Sequence, residues 1–287
     1  MALGAALAVA GATPLFAWWR GAVAGELFGA RDLPDDVARL AGLTDAILGA
    51  SIAGKWLAAW WLARVPLAAR ARWAWQASVA GLATWWLIDS SVSAAMGAPS
   101  NIILVNCAPL VIAGPLLLRL RRQGAPHPRV PRARGWWALE LVCALNLGLG
   151  LAIAIGGLQL PPWVTYLDGW LGAPASPDAI VWQRFVAGPI GGTIAAQFLM
   201  LGWAARRASG EAWVRRAIVT SVLAWFAIDT ALSLAVGATF NVGLVNLPCL
   251  ALVLAATAAA RSVAVLPGQH ALEPHDPAVG AVGIEPR

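Results

Sequence analysis

The sequence predicts an all-α polytopic membrane protein, with eight transmembrane helices arranged as two parallel four-helix repeats. Three observations predict it. Hydrophobic residues make up 60% of the chain and charged residues 12%, with a mean hydropathy of +0.70, whereas a soluble domain carries about 25% charged residues. Eight stretches reach the roughly 20 mostly apolar residues that a spanning helix needs. Finally, the stretch 85–106, WWLIDSSVSAAMGAPSNIILVN, returns 140 positions later as WFAIDTALSLAVGATFNVGLVN at 225–246. Eleven pairs are identical, among them Asp89/Asp229, Ser93/Ser233, Gly97/Gly237, Asn101/Asn241 and Asn106/Asn246. Shared hydrophobicity matches alanines and leucines by chance, but not an Asp, a Ser and two Asn in register.

The first span is expected over 2–19. It has the length of a signal peptide but no basic region before it, and an equivalent stretch at 136–155 opens the second half. The turn-rich segment GELFGARDLPDD at 25–36 has a counterpart, DGWLGAPASPD at 168–178, and loops of this kind often carry an interfacial helix. Span 2 covers 43–63, and its SIAGKW core matches TIAAQF in span 6 at an offset of 142, so the following loop is two residues shorter in the second half. Spans 3 and 4 are read at 73–96 and 102–118, and spans 5 to 8 at 136–157, 182–205, 213–236 and 242–260. The chain thus divides into a first repeat, 1–122, a basic linker, 123–135, a second repeat, 136–262, and a polar tail, 263–287, expected to be disordered.

Eight spans put fourteen arginines on one side. They are Arg64, Arg70 and Arg72, then Arg119, Arg121, Arg122, Arg129, Arg132 and Arg134, then Arg206, Arg207, Arg215, Arg216 and Arg261. The opposite loops hold Glu26, Asp32, Asp35, Asp36, Asp168 and Asp178. By the positive-inside rule both termini are cytoplasmic, in a bacterial inner membrane. The net charge of +6 is therefore assigned to topology, with the lipid bilayer as partner and no nucleic acid. Four spans per repeat is an even number, so both halves insert in the same orientation, unlike inverted-repeat transporters.

The polar residues inside the spans are the candidate site. Trp85, Asp89, Ser93 and Gly97 are four apart and share one helix face, and Trp225, Asp229, Ser233 and Gly237 repeat the pattern. By helix rise, Asp89 lies about 12 Å below the turn and Asn106 about 8 Å below Asn101 on the next limb. Ser51, Lys55, Asp89, Ser93 and Asn106 are expected to converge in the outer half of the first bundle, and Thr193, Gln197, Asp229, Ser233 and Asn246 in the second. A charge in mid-bilayer costs at least about 2.5–3.5 kcal/mol and normally has a partner. Lys55, the only lysine, either pairs with Asp89 or snorkels to the interface. Against a ligand site stands a plainer role, since polar groups between membrane helices also act as packing glue worth about 0.6 kcal/mol each. Asn101 and Asn241, at the turns, are expected to cap the next helix.

Composition excludes much chemistry. Cys107, Cys143 and Cys249 lie in apolar stretches without CxxC spacing, and His127, His270 and His275 lie in the linker and tail. No cofactor or metal is implied, and no phosphate-binding loop or catalytic motif occurs.

Residues 182–260, with Gly192–Thr193 in span 6, an arginine- and tryptophan-rich loop, Trp225-Phe226, Asp229-Thr230 and Ser233 in span 7 and the Phe240–Asn241 turn, resemble a group of small bacterial four-helix membrane proteins with no assigned activity. The first half resembles it less closely. The resemblance implies a tandem duplication of that unit, and no reaction. Three functions remain open: binding or transport of a small polar or amphipathic ligand, a structural or accessory subunit, and an enzyme acting on a lipid-like substrate with Asp89 and Lys55 as acid and base.

Overall fold

A computed structural model of the chain describes residues 14–30, 32–121, 134–157 and 161–260. The described residues form nine helices: α1 (Pro14–Phe28), α2 (Asp35–Leu62), α3 (Arg72–Ala95), α4 (Asn101–Arg121), α5 (Trp136–Gly156), α6 (Pro161–Leu171), α7 (Pro177–Arg207), α8 (Ala212–Ala235) and α9 (Thr239–Ala259). No strand occurs among them.

Six helices are long and apolar enough to cross a membrane: α2 with its extension to Leu67, α4, α5, α7, α8 and α9. Eight spans were expected, and the two others differ for separate reasons. α3 has 24 residues, enough to cross, but Gln76, Ser78, Thr84, Asp89, Ser90, Ser91 and Ser93 lower its hydropathy. Most of the first expected span falls on residues 1–13, outside the described residues, as do the tail and most of the basic linker. The described part of α1 runs on to Phe28, so it continues into the first residues of the turn-rich segment at 25–36.

Three turns depart from α-helical winding. α2 continues as a π-turn over Ala63–Leu67 containing Pro66, with Ala68 N–H bonded to the Ala63 carbonyl at 3.1 Å. Proline has no N–H for the regular ladder, and the wider i→i+5 winding accommodates it. α4 opens with a π-turn at Asn101–Asn106, and α9 has one at Val242–Asn246. At the preceding turns, Gly97 (φ 73°) and Gly237 (φ 74°) take the left-handed conformation. There, Ala98 N–H bonds the Ser93 carbonyl and Ala238 N–H the Ser233 carbonyl, both at 2.8 Å. These helix-ending motifs reverse the chain sharply and lay α4 on α3 and α9 on α8.

α7 is the central helix. Of its most apolar window 83% is buried, against 11% for α4 and 17% for α9, which form the periphery. It packs on α5, α3 and α2, and small residues set how closely. A Cβ at Gly150 of α5 would lie 2.6 Å from the Ala195 nitrogen, and one at Gly192 3.3 Å from Ile88 of α3. The halves interleave: α2 packs against α7 and α8, and α3 against α7, while α2 and α3 scarcely touch.

One hydrophobic core lies at each end of the bundle. At one end Trp73 stacks on Trp213 with ring centres 6.4 Å apart, Trp75 donates to the Leu117 carbonyl and Arg215 to the Ala260 carbonyl. These contacts bring together the starts of α3 and α8 and the ends of α4 and α9, where most of the described arginines lie. At the other end Trp19, Trp182 and Phe185 pack together. Trp19 and Trp163 are buried there.

Candidate functional site

Two hydrogen-bonded networks of the same three residue types lie at the end away from the arginine-rich core. On α3, Asp89 and Ser93 share a face one turn apart, and Ser93 Oγ donates to Asp89 Oδ1 at 3.3 Å. The Asn101 amide donates to Asp89 Oδ1 at 2.7 Å and to Ser93 Oγ at 2.9 Å. Its carbonyl oxygen accepts from the Trp19 indole of α1 at 3.2 Å. α1 also clamps the start of α4 from outside, where Ser100 donates through its hydroxyl to Glu26 at 2.6 Å. On α8 the core is repeated, with Ser233 to Asp229 Oδ1 at 3.0 Å and Asn241 to Asp229 Oδ1 and to Ser233, both at 2.8 Å. All six residues are at most 1% exposed.

The surroundings of the two networks differ. The Lys55 ammonium stands 3.7 Å from the centre of the Trp85 ring and 5.1 Å from that of Trp56. Lys55 is 4% exposed and makes no ion pair with Asp89 within 4.0 Å. It therefore makes no direct ion pair with the carboxylate, and it stands on an aromatic face. At the second network Gln197 takes the place of the lysine, and no indole reaches the Asn241 carbonyl oxygen. Asp229 Oδ2, the Trp225 indole nitrogen and the Trp163 indole nitrogen are buried without hydrogen-bond partners. The turn is covered by aromatic rings, with Phe240 against Trp163 at 5.1 Å and stacked on Tyr166 at 6.4 Å.

A cavity of about 520 Å³ opens beside this second network, within the range of about 300–1,000 Å³ for small-molecule sites. α5, α6, α7, α8 and α9 wall it, with Ile47 of α2 contributing from the first half. Its lining is mostly aliphatic and aromatic, interrupted by Asn146, Gln197, Asp229, Asn241 and Cys249. The Asn146 amide donates to the Val142 carbonyl at 2.8 Å, and Asn146, Gln197, Asp229 and Asn241 form the polar part of the wall.

The structure gathers some of the expected site residues and not others. Asp89 with Ser93 and Asp229 with Ser233 form the two cores. Asn101 and Asn241, expected as helix caps, are instead the central donors; neither caps its helix. Asn106 and Asn246 pair one position along, with Ser90 at 3.2 Å and Thr230 at 3.1 Å. The π-turn explains the exchange. Five residues of α-helix turn about 140° past a full circle, whereas i→i+5 winding returns both asparagines to one face. Ser51 and Thr193 do not join either network, because their hydroxyls bond their own helix at the Ile47 carbonyl (2.8 Å) and the Pro189 carbonyl (2.6 Å). Lys55 and Gln197 face different neighbours from those a self-contained bundle would supply. Gly54 lets α8 approach so closely that a Cβ there would sit 2.8 Å from Gln197 Oε1 and 3.1 Å from the Ser221 carbonyl.

Two buried features have no counterpart in the sequence reading. Trp19 closes the first network, and Arg20 pairs with Asp45 at 3.7 Å. Asp45 was readable as a carboxylate within an apolar stretch. α2 starts at Asp35, eight residues before the expected span, and this puts Asp45 well inside it.

Comparison of the chain with protein-family models, with curated proteins and with solved structures returns no match.

Proposed function

We propose that the protein is a multi-pass membrane protein that binds or transports a small amphipathic ligand in the cavity beside Asp229. One observation carries this reading. A cavity of about 520 Å³ with an apolar lining ends on a buried carboxylate whose Oδ1 accepts two hydrogen bonds while its Oδ2 accepts none within 3.5 Å. An apolar cavity with a few convergent polar groups is the usual form of a ligand site, and an intramembrane carboxylate normally has a partner. Here the missing partner is the ligand.

The finer topology belongs to the same proposal. It comprises eight spans, in two four-helix repeats of one orientation, in a bacterial inner membrane with both termini cytoplasmic. It is supported by the eleven identities between 85–106 and 225–246, by the matching networks they form and by the arginines gathered toward one end. A tandem duplication of a four-helix unit accounts for all three.

A second reading, helix-packing glue, is favoured for the first network alone. Asp89, Ser93, Asn101 and Trp19 bond one another, and Lys55 covers Trp85. The two halves thus share a frame, and the cavity of about 520 Å³ lies beside the second network. The test is photolabelling of the full chain in lipid nanodiscs with a neutral aryl diazirine, mapped by mass spectrometry. Labels on Cys249, Trp163 and Ile194 are expected. Labels confined to lipid-facing residues such as Ile112 and Ile155 would overturn the reading.

A further inference from the structure

The geometry points to the ligand's chemical class: we infer that the cavity takes an amphipathic ammonium ion, its cationic head on Asp229 and its apolar body among the aliphatic and aromatic side chains. This rests on the reading of the cavity as a ligand site. Among the described residues, the lining includes Asp229 as its only carboxyl group and no lysine or arginine. An anionic head would therefore meet a carboxylate and find no cation. Lys55 is committed to the Trp85 ring.

The hydrogen-bond inventory narrows the class further. Asp229 Oδ1 already accepts from Asn241 and Ser233, so the open valence is at Oδ2. A carboxylate there accepts only, and it is best matched by a donor that also carries positive charge, because charge-assisted hydrogen bonds are roughly twice as strong as neutral ones. Aromatic walls strengthen the match. Trp163, Trp225 and Phe198 line the same cavity, and ring faces attract ammonium groups. The wall thus combines two features that recognise an amine, a carboxylate oxygen open to a donor and an aromatic surround, while much of its lining suits a hydrocarbon body.

The experiment uses three benzylic aryl diazirines that differ only in the head group, an amine, an alcohol and a carboxylate. Each is photolysed with the full chain in phosphatidylcholine nanodiscs, whose zwitterionic surface does not concentrate the amine. Mass spectrometry then quantifies labels on Cys249, Trp163 and Ile194. The amine is expected to label these positions at least tenfold more than the alcohol, and the carboxylate least. Asp229→Asn, which keeps an acceptor for Asn241 and Ser233, should bring amine and alcohol labelling level. Equal labelling by amine and alcohol in the natural protein, or stronger labelling by the carboxylate, overturns the ammonium class and leaves the cavity site standing. Absence of cavity labels from all three overturns the site itself. The comparison of head groups in the natural protein decides the matter even if the variant fails to fold.

Discussion

The ammonium of Lys55 on α2 stands 3.7 Å from the centre of the Trp85 ring on α3, and this contact bridges two helices that otherwise scarcely touch. Both residues are 4% exposed. A desolvated cation on an indole face is worth about 2 kcal/mol or more. Lys55→Gln should therefore destabilise the protein by about 2 kcal/mol, read from unfolding in mixed detergent micelles. A double-mutant cycle with Trp85→Leu should assign most of that loss to the pair. A coupling near zero would show that the lysine acts elsewhere.

Asn101 and Asn106 lie one π-turn apart and differ in what they hold. Asn101 donates to Asp89 and Ser93 and accepts from Trp19, while Asn106 donates to Ser90. Single interhelical hydrogen bonds in membranes average about 0.6 kcal/mol and reach about 1.7. Asn101→Ala, which also removes the shortest hydrogen bond to a buried carboxylate, should cost about 2 kcal/mol or more. Asn106→Ala should cost about 0.6 kcal/mol. The same unfolding measurement checks the order, and equal losses would contradict the assignment of Asn101 as the central donor.

The contact of α5 with α7 depends on absent side chains. A Cβ at Gly150 would meet the Gly191 carbonyl at 2.7 Å, and one at Gly191 would collide with the Gly150 carbonyl. Both obstacles are backbone, which cannot rotate away. Gly150→Ala and Gly191→Ala should each cost about 1–3 kcal/mol through overpacking. Gly148→Ala, two residues along α5 with nothing within 4 Å, should stay within about 0.5 kcal/mol of the natural protein or gain slightly from better helix propensity. Thermal unfolding of the three variants separates them.

The all-α membrane class was legible in composition alone, and the Asp–Ser pairs were legible because residues four apart share a helix face. That Asn101 and Asn241 also meet the aspartates was not. Sequence spacing assumes α-helical winding, and the π-turns at Asn101–Asn106 and Val242–Asn246 rotate the face by more than a quarter turn. Nor was the interleaving of the halves legible. Ser51, Lys55, Asp89, Ser93 and Asn106 were expected to converge in one bundle, but α3 packs on α7 and scarcely touches α2. Ser51 and Thr193 sat at suitable depths yet bond their own backbones, a choice that depth does not reveal. The difference between Lys55 and Gln197 was visible in the aligned repeat. Its consequence, one network beneath a covered indole and one beside a cavity, depends on packing between distant segments.

The central claim is that the cavity beside Asp229 holds a ligand, and filling it tests that claim most directly. Ile194 lines the cavity and packs against both hydrophobic cores. Ile194→Trp should occupy much of the space without exposing a polar group. Photolabelling with the benzylic amine, quantified on Cys249 and Trp163 in nanodiscs, should fall at least tenfold in this variant while its thermal unfolding stays cooperative. Undiminished labelling at those two residues in the filled variant would contradict the account.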